Sequence, residues 1–331
     1  MSGDNNPTSW KNRSSGEKLN NVSNNFRQTF QEISLKHASR RRITNKIVSI
    51  IAIIFVIGAI IPLASILFQV IKNGVAVLSV QFLTQTPGAI GSDTGGIGPA
   101  IQGTLITVGL ASLIGAPIGV LSGVYLSEFA PSGSVKGAKQ RAINFFATTI
   151  RLFNDVLTGL PSIVIGIVGY VAIVLALNSF SVWAGAFALS IIMIPIVSRV
   201  TEETLKLVPN SLREAGYSLG ISKAKITLFI VLKNAKDGVL TGVILAISRI
   251  AGETAPLIMT ILGTSLFFTG LTGPVDALPL RIWRLASQPY ESAHAFGWGA
   301  ALVLILIILT LSASIRLIAR GKGIRVRTET I

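Results

Sequence analysis

The sequence contains no cysteine. That excludes disulfides, thiolate chemistry and cysteine-built metal sites. Histidine is nearly as scarce: His37 and His294 lie in unrelated segments, so no His-built metal centre is expected. Charge is short as well. Only 13% of the 331 residues are Asp, Glu, Lys or Arg, about half the share of a soluble domain, which is roughly 25%. Acids are the scarcer sign, 14 against 29 bases, which gives a formal net charge of +15. A basic surplus suits nucleic acid or a membrane surface. No zinc-finger or RNA-binding signature is present, so no nucleic-acid partner is expected.

Apolar residues make up half the chain, and the mean hydropathy is +0.66. Six apolar stretches stand out: Ile43 to Phe68, Ile101 to Tyr125, Val156 to Leu177, Trp183 to Val200, Val239 to Leu262 and Phe296 to Ile315. Crossing the hydrocarbon core takes roughly 20 helical residues. The runs are long and continuous, unlike the strands of about ten alternating residues in a membrane barrel. The reading is an all-α polytopic membrane protein with six transmembrane helices, of which the fourth is the shortest.

Residues 1–42 form a basic tail that begins with an Asn- and Ser-rich segment, Met1 to Asn25. This composition cannot bury a core and predicts disorder. It lacks the apolar core of a cleavable signal peptide, so no cleavage is expected. The membrane domain covers 43–318, and a second basic tail covers 319–331. With the N-terminus inside, 25 of the 29 Lys and Arg residues fall in inside segments and only Lys72, Arg281 and Arg284 outside. That bias places both termini in the cytoplasm.

Each of the first five stretches holds one proline: Pro62, Pro117, Pro161, Pro195 and Pro256. Proline removes a helix hydrogen bond and bends the rod, and five such sites suggest a bundle built around a path or a moving interface. Gly115, Gly119 and Gly123 form overlapping small-xxx-small steps, which read as close helix packing. The Gly/Pro-rich segments Thr86 to Ala100 and Gly263 to Asp276 read as loops or short re-entrant pieces. Asp155 reads as a helix N-cap.

The most informative chemistry is SRIAGETAPL, Ser248 to Leu257, in the middle of the fifth stretch. A charge at the bilayer centre costs about 2.5 to 3.5 kcal/mol on insertion scales. Arg249 and Glu253 are both placed there, four residues apart and so on one helix face. They either fix packing or face a polar passage, and the second reading is favoured. Arginine's planar fork of donors matches phosphate or carboxylate. Glu253 would tune that attraction, Thr254 adds a hydroxyl, and Gly252 and Pro256 would let the backbone open. The expected pathway residues are Arg249, Glu253 and Thr254.

The segment 201–237 between the fourth and fifth stretches is patterned. Ser211 and Glu214 have capping-box spacing, Leu212, Ala215 and Leu219 share a helix face, and Gly220 fits a helix stop. Ser222 would cap a second helix running through Leu232 along the membrane surface. Spacing alone leaves open whether this element rests on lipid or docks a partner.

The segment resembles the EAA loop of ABC-importer permeases through Glu214, Ala215, Gly216, Gly220, Ile230 and Leu232. Gly216 replaces the usual second Ala, and Lys233 the usual Pro. With GETAPL (252–257), DVLTGLPSIVIG (155–166), TEETLKLVPNSLREA (201–215) and QPYESAHAFGWGAALVL (288–304), the chain from about Ile43 to Ile318 resembles the phosphate-importer permeases of the PstA/PstC family, and PstA most. The resemblance implies a type I, MetI-like ABC importer permease in the inner membrane. It implies a homologous PstC-type permease, two copies of an ATP-binding subunit and an extracytoplasmic phosphate-binding protein as partners. It also implies that Glu214, Ala215 and Gly220 couple to the ATPase.

This chain has no phosphate-cradling ATPase loop: its one Gly-Lys pair, Gly321-Lys322, is followed by Gly323. ATP and magnesium are therefore expected on the partner, and no cofactor on this chain. No nucleophile, carboxylate pair or metal cluster suggests an enzyme. The rival reading is a stand-alone secondary transporter or channel for an oxyanion.

Overall fold

A computed structural model describes residues 44–89, 91–92, 94–130 and 138–320. The tail expected at 1–42 lies outside the described residues, as does the second tail from 321 onward. Among the described residues the structure is all-α. Its β content is two isolated bridges, Pro87 to Gly95 and Leu262 to Val275, and these tie down the two Gly/Pro-rich segments as loops.

The chain divides into two units, Met1–Phe68 and Gln69–Ile331. The described part of the first unit belongs to helix α1, Thr44–Val75. Its residues 44–68 are all exposed although the segment is strongly apolar, the pattern of a helix whose solvent is lipid.

In the second unit, α2 is a single turn at Val80–Thr84, capped by Ser79. Helix α3 runs Gly98–Val124 and widens into a π turn at Tyr125–Phe129. Helix α4 is Ala138–Gly159. Helix α5, Ser162–Gly169, passes through a π turn at Tyr170–Val174 into α6, Leu175–Leu177. Helix α7 is Val182–Lys206, and α8 is Asn210–Ser218. Helix α9, Lys223–Ile226, continues through a π turn at Thr227–Val231 into α10, Leu232–Ala251. Helices α11, Ala255–Thr260, α12, Leu278–Ala286, and α13, Glu291–Arg320, complete the described residues.

Among the described residues, four helices are long and apolar enough to cross a membrane: Thr44–Val75, Gly98–Phe129, Val182–Lys206 and Glu291–Leu317. A fifth candidate, Arg141–Gly159 with Ser162–Leu177, is bent by 108°. The third apolar stretch is thus no single rod. The chain turns at Leu160–Pro161, because proline excludes the helical conformation from the residue before it and leaves no N–H for the ladder. Asp155 lies inside α4, one turn before its end, and caps nothing. The fifth stretch is also divided, with α10 ending at Ala251 and α11 beginning at Ala255. Pro256 there occupies the first turn, where its missing N–H leaves no bond unmade. Pro117 and Pro195, by contrast, lie inside helices that run on past them, so the expected common role of the prolines holds only in part.

The core is the α3–α7 pair. Cβ atoms added to Gly115, Gly119 and Gly123 would sit 3.1 Å from Met193 Cβ, 2.7 Å from Val197 Cβ and 2.6 Å from Thr201 Cβ. One residue per turn on α3 therefore meets one per turn on α7, as the small-residue stripe predicts. The fourth stretch, shortest in the sequence, yields the most buried of the candidate spans. Its helix outlasts its apolar run because Arg199 pairs with Glu203 and Lys206 with Glu202 along one face.

Helix α12 packs Leu278 and Leu280 inward. Arg281 Nε donates to Asp276 Oδ2 at 2.6 Å and its Nη2 to the Thr264 carbonyl at 3.1 Å. Burial pushes the Asp276 carboxyl above the usual carboxylate range, opposed by the Arg281 guanidinium. Arg284 donates to the Leu262 carbonyl. Two of the three bases counted outside are thus committed to holding loops.

Candidate functional site

A cavity of about 890 Å³ opens where the two broken helices face α7. The α4–α5 turn gives it Leu157, Thr158 and Ser162, and α7 gives Ile192, Pro195 and Ile196. Ser248 and Arg249 come from the last turn of α10, and Glu253 from the break that follows. The wall is largely apolar with a few polar groups, the usual make-up of a small-solute site.

Arg249 Nη2 lies 3.4 Å from Glu253 Oε1. The pair is predicted by its four-residue spacing to share one helix face. It instead bridges a helix end and the irregular backbone beyond it, where Gly252 closes α10 by donating its N–H to the Arg249 carbonyl. The position suits a cation, since the last-turn carbonyls of a helix carry partial negative charge. The two partners differ in exposure. The Arg249 side chain is 60% exposed and that of Glu253 14%. The guanidinium thus lies at the open edge of the cavity, and the carboxylate is the more enclosed of the two. Irregular backbone at membrane depth is tolerated where it lines a cavity, and here it does.

Thr254 stands apart from the other two predicted pathway residues. It sits at the N-cap of α11 without a side-chain capping bond, and it is not part of the cavity wall. Three hydroxyl residues that the sequence did not single out, Thr158, Ser162 and Ser248, are. The Thr158 hydroxyl donates to the Asn154 carbonyl at 2.7 Å and that of Ser248 to the Ile244 carbonyl at 2.9 Å. For Thr158 and Ser162 a hydroxyl beside a proline break, as in TGLPS, is the available signal.

The second predicted cluster lies on α8. Its helix begins at Asn210 with Pro209 at the N-cap, so Ser211 is already inside it and the expected capping box does not form. Pro209 fixes φ at the entry to the helix without a side-chain cap, and the Leu212 N–H donates to its carbonyl at 3.2 Å. Glu214 and Ala215 are exposed, as are the apolar side chains of Leu212, Tyr217 and Leu219. Gly220 ends the element with φ +70°, and the Ile221 N–H closes on the Gly216 carbonyl at 3.2 Å, a left-handed stop that glycine makes without strain. Ser222 stands at the N-cap of α9 but makes no side-chain cap. The second helix does not lie separately along the surface. It is continuous with α10, and with Lys233 where a proline would have stopped it, helix runs from Lys223 to Ala251. The segment set at 201–237 therefore begins inside α7 and ends inside α10.

Residues 132–324, which hold α8 and both broken helices, match the model of the family described as binding-protein-dependent transport system inner membrane component. The chain belongs to that family. Among its relatives, the phosphate transport system permease protein PstA of Haemophilus influenzae is 41% identical over 79% of this chain and 89% of its own length. A probable PstA of Methanocaldococcus jannaschii is 35% identical over 81% of this chain and 91% of its own. The inward-facing MetNI methionine ABC transporter superposes with a TM-score of 0.55 at 16% identity, covering 68% of this chain and 96% of the matched chain. That likeness identifies the fold, a MetI-like importer permease. Binding-protein-dependent inner-membrane components are transport subunits, and the apolar helices described above are the part that resides in the inner membrane.

Proposed function

We propose that this chain is a permease subunit of an ATP-driven importer and forms, with a homologous partner permease, the transmembrane path for inorganic phosphate. The observation that carries the reading is the half-open Arg249–Glu253 pair in the cavity at the broken helices. A guanidinium fork matches two oxygens of a tetrahedral oxyanion, and the relatives are named as phosphate transport permeases. Glu253 holds Arg249 in place and competes with the anion for it, which favours passage over retention.

Energy comes from outside the chain. Two ATP-binding subunits carry ATP and magnesium, and no cofactor resides here. Glu214, Ala215 and the exposed apolar face of α8, stopped at Gly220, form the seat for one of those subunits. ATP-driven closure of the subunits moves α8, and the helix groups rock to alternate access to the cavity. An extracytoplasmic phosphate-binding protein delivers the anion to the opposite side, and six spans with both termini in the cytoplasm complete the topology.

The test is Arg249→Ala in the assembled transporter, reconstituted with its binding protein. Uptake of labelled phosphate should fall about a hundredfold, the scale of losing charged hydrogen bonds to the substrate, while membrane insertion and subunit assembly stay normal. Uptake equal to wild type would refute the pathway assignment. Phosphate flux in liposomes containing this chain alone would instead favour a stand-alone transporter or channel.

A further inference from the structure

One buried ion pair lies far from the cavity and is left unused by the reading above. Glu128 sits in the π turn that ends α3, and its side chain is only 6% exposed. Arg213, on α8, reaches it with two nitrogens: Nη2 to Oε1 at 2.6 Å and Nε to Oε2 at 3.3 Å. The same guanidinium donates to the Leu205 carbonyl at 2.9 Å, the Val208 carbonyl at 2.6 Å and Asn210 Oδ1 at 3.2 Å. Five bonds exhaust its donors.

That arrangement is unusual for what it joins. Helix α8 is otherwise weakly held: its one buried residue, Gly216, rests on Ile226 and Ile230 of the helix that follows it. Arg213 is its polar tie to the Leu205 and Val208 carbonyls, at and just beyond the end of α7, and to the end of α3. The π turn is itself a hub. Tyr125 OH donates to the Ile143 carbonyl of α4 at 3.5 Å, Arg151 of α4 donates to the Leu126 carbonyl at 3.4 Å, and the Lys223 ammonium lies 5.3 Å from the centre of the Phe129 ring. A π turn inserts one extra residue and re-aims the side chains after it, which here leaves the carboxylate of Glu128 pointing inward. From the hub, α3 and α7 run together through the glycine stripe to the cavity wall at Ile192 and Pro195.

We propose that Glu128 and Arg213 form a strut that carries movement of α8 into the α3–α7 pair. Both are positioning residues, and the proposal rests on the transporter reading above. A buried bidentate pair is stiff in length and direction, whereas an apolar contact of a nine-residue surface helix would slide. Breaking the pair should uncouple the two ends of the bundle and leave each end intact.

The experiment uses the complete transporter in proteoliposomes, with phosphate uptake and ATP hydrolysis measured in parallel. Glu128→Gln should keep the ATP-binding subunits bound and basal hydrolysis close to wild type. Phosphate moved per ATP, and stimulation of hydrolysis by the binding protein, should each drop about tenfold, within the range of coupling changes. Glu128→Asp, which keeps a carboxylate for the guanidinium but is smaller, should lose far less than the isosteric Glu128→Gln, a ranking that a merely local packing role would reverse. Unchanged uptake per ATP in Glu128→Gln would overturn the strut. So would loss of the ATP-binding subunits from Glu128→Gln, because the pair would then only shape the docking surface. A wild-type complex whose hydrolysis is stimulated but which moves no phosphate would refute the substrate assignment, and the strut would still be judged on the stimulation ratio.

Discussion

Helix α7 meets α3 along one face and the broken helices along another, and the two faces have opposite character. On the first, Met193 and Val197 are fully buried against glycines, with no room for a methyl group. On the second, Ile192, Pro195 and Ile196 border an open cavity across from a charged pair. The side chains of α7 on both faces are similar in size and polarity. What differs is the partner: α3 presents one small residue per turn and closes in, while α5 is turned away at Pro161 and α10 stops at Ala251. A dry seam and a solute-sized space thus arise on one helix from the shape of its neighbours, not from its own composition.

The comparison breaks most sharply at the seam. In Gly123→Ala the new Cβ would lie 2.5 Å from the Ser198 carbonyl oxygen, backbone that cannot move aside. Overpacking of this kind costs about 1–3 kcal/mol, so the purified protein should unfold at lower temperature and uptake should fall with the amount folded. Gly109→Ala on the same helix is the control, since nothing lies within 4 Å of the added carbon. It should hold or raise the melting temperature. Equal effects at the two positions would show that α3 and α7 are not sealed together.

On the open face the expected effects are on transport and not on folding. Arg249→Lys keeps the charge and loses the planar fork. Uptake at limiting phosphate should fall about tenfold, the worth of one charged hydrogen bond, with an unchanged melting curve. A melting curve lowered as much as by Gly123→Ala would place Arg249 in the structural class.

Much of this difference was legible in the sequence, for local reasons. The four-residue spacing of Gly115, Gly119 and Gly123 specifies a seam, the isolated charges at Arg249 and Glu253 specify a polar place in an apolar run, and Gly220 specifies a left-handed stop. The cavity was not legible, because the fate of a proline is decided by distant neighbours. Pro117 and Pro195 are carried within helices, while at Pro161 the chain turns by 108°. The turn is supported by α5 packing on α11, where Gly166 lets the Pro256 backbone approach so closely that a Cβ would lie 2.7 Å from Pro256 Cα. That contact joins residues ninety positions apart. Glu128 was missed for the same reason, since its partner lies 85 residues on, and α12 was missed because its nine residues are too few for a periodic signal.

The smallest expected effect separates the two partners of the charged pair. An exposed ion pair is worth about 0–1 kcal/mol, and Arg249 is more than half exposed, so Glu253→Gln should barely change stability. Its effect falls on the balance between holding and releasing the anion. With the competing carboxylate neutralised, Arg249 binds phosphate more tightly, so the phosphate concentration at half-maximal uptake should fall, and maximal uptake should fall with it, each by less than about fivefold on that energy scale. Parallel kinetics on Arg249→Lys should move the half-maximal concentration the other way. If Glu253→Gln raised that concentration instead, the carboxylate would be orienting the guanidinium for the anion and not competing with it, and the open face of α7 would owe its selectivity to the pair acting as one rigid unit.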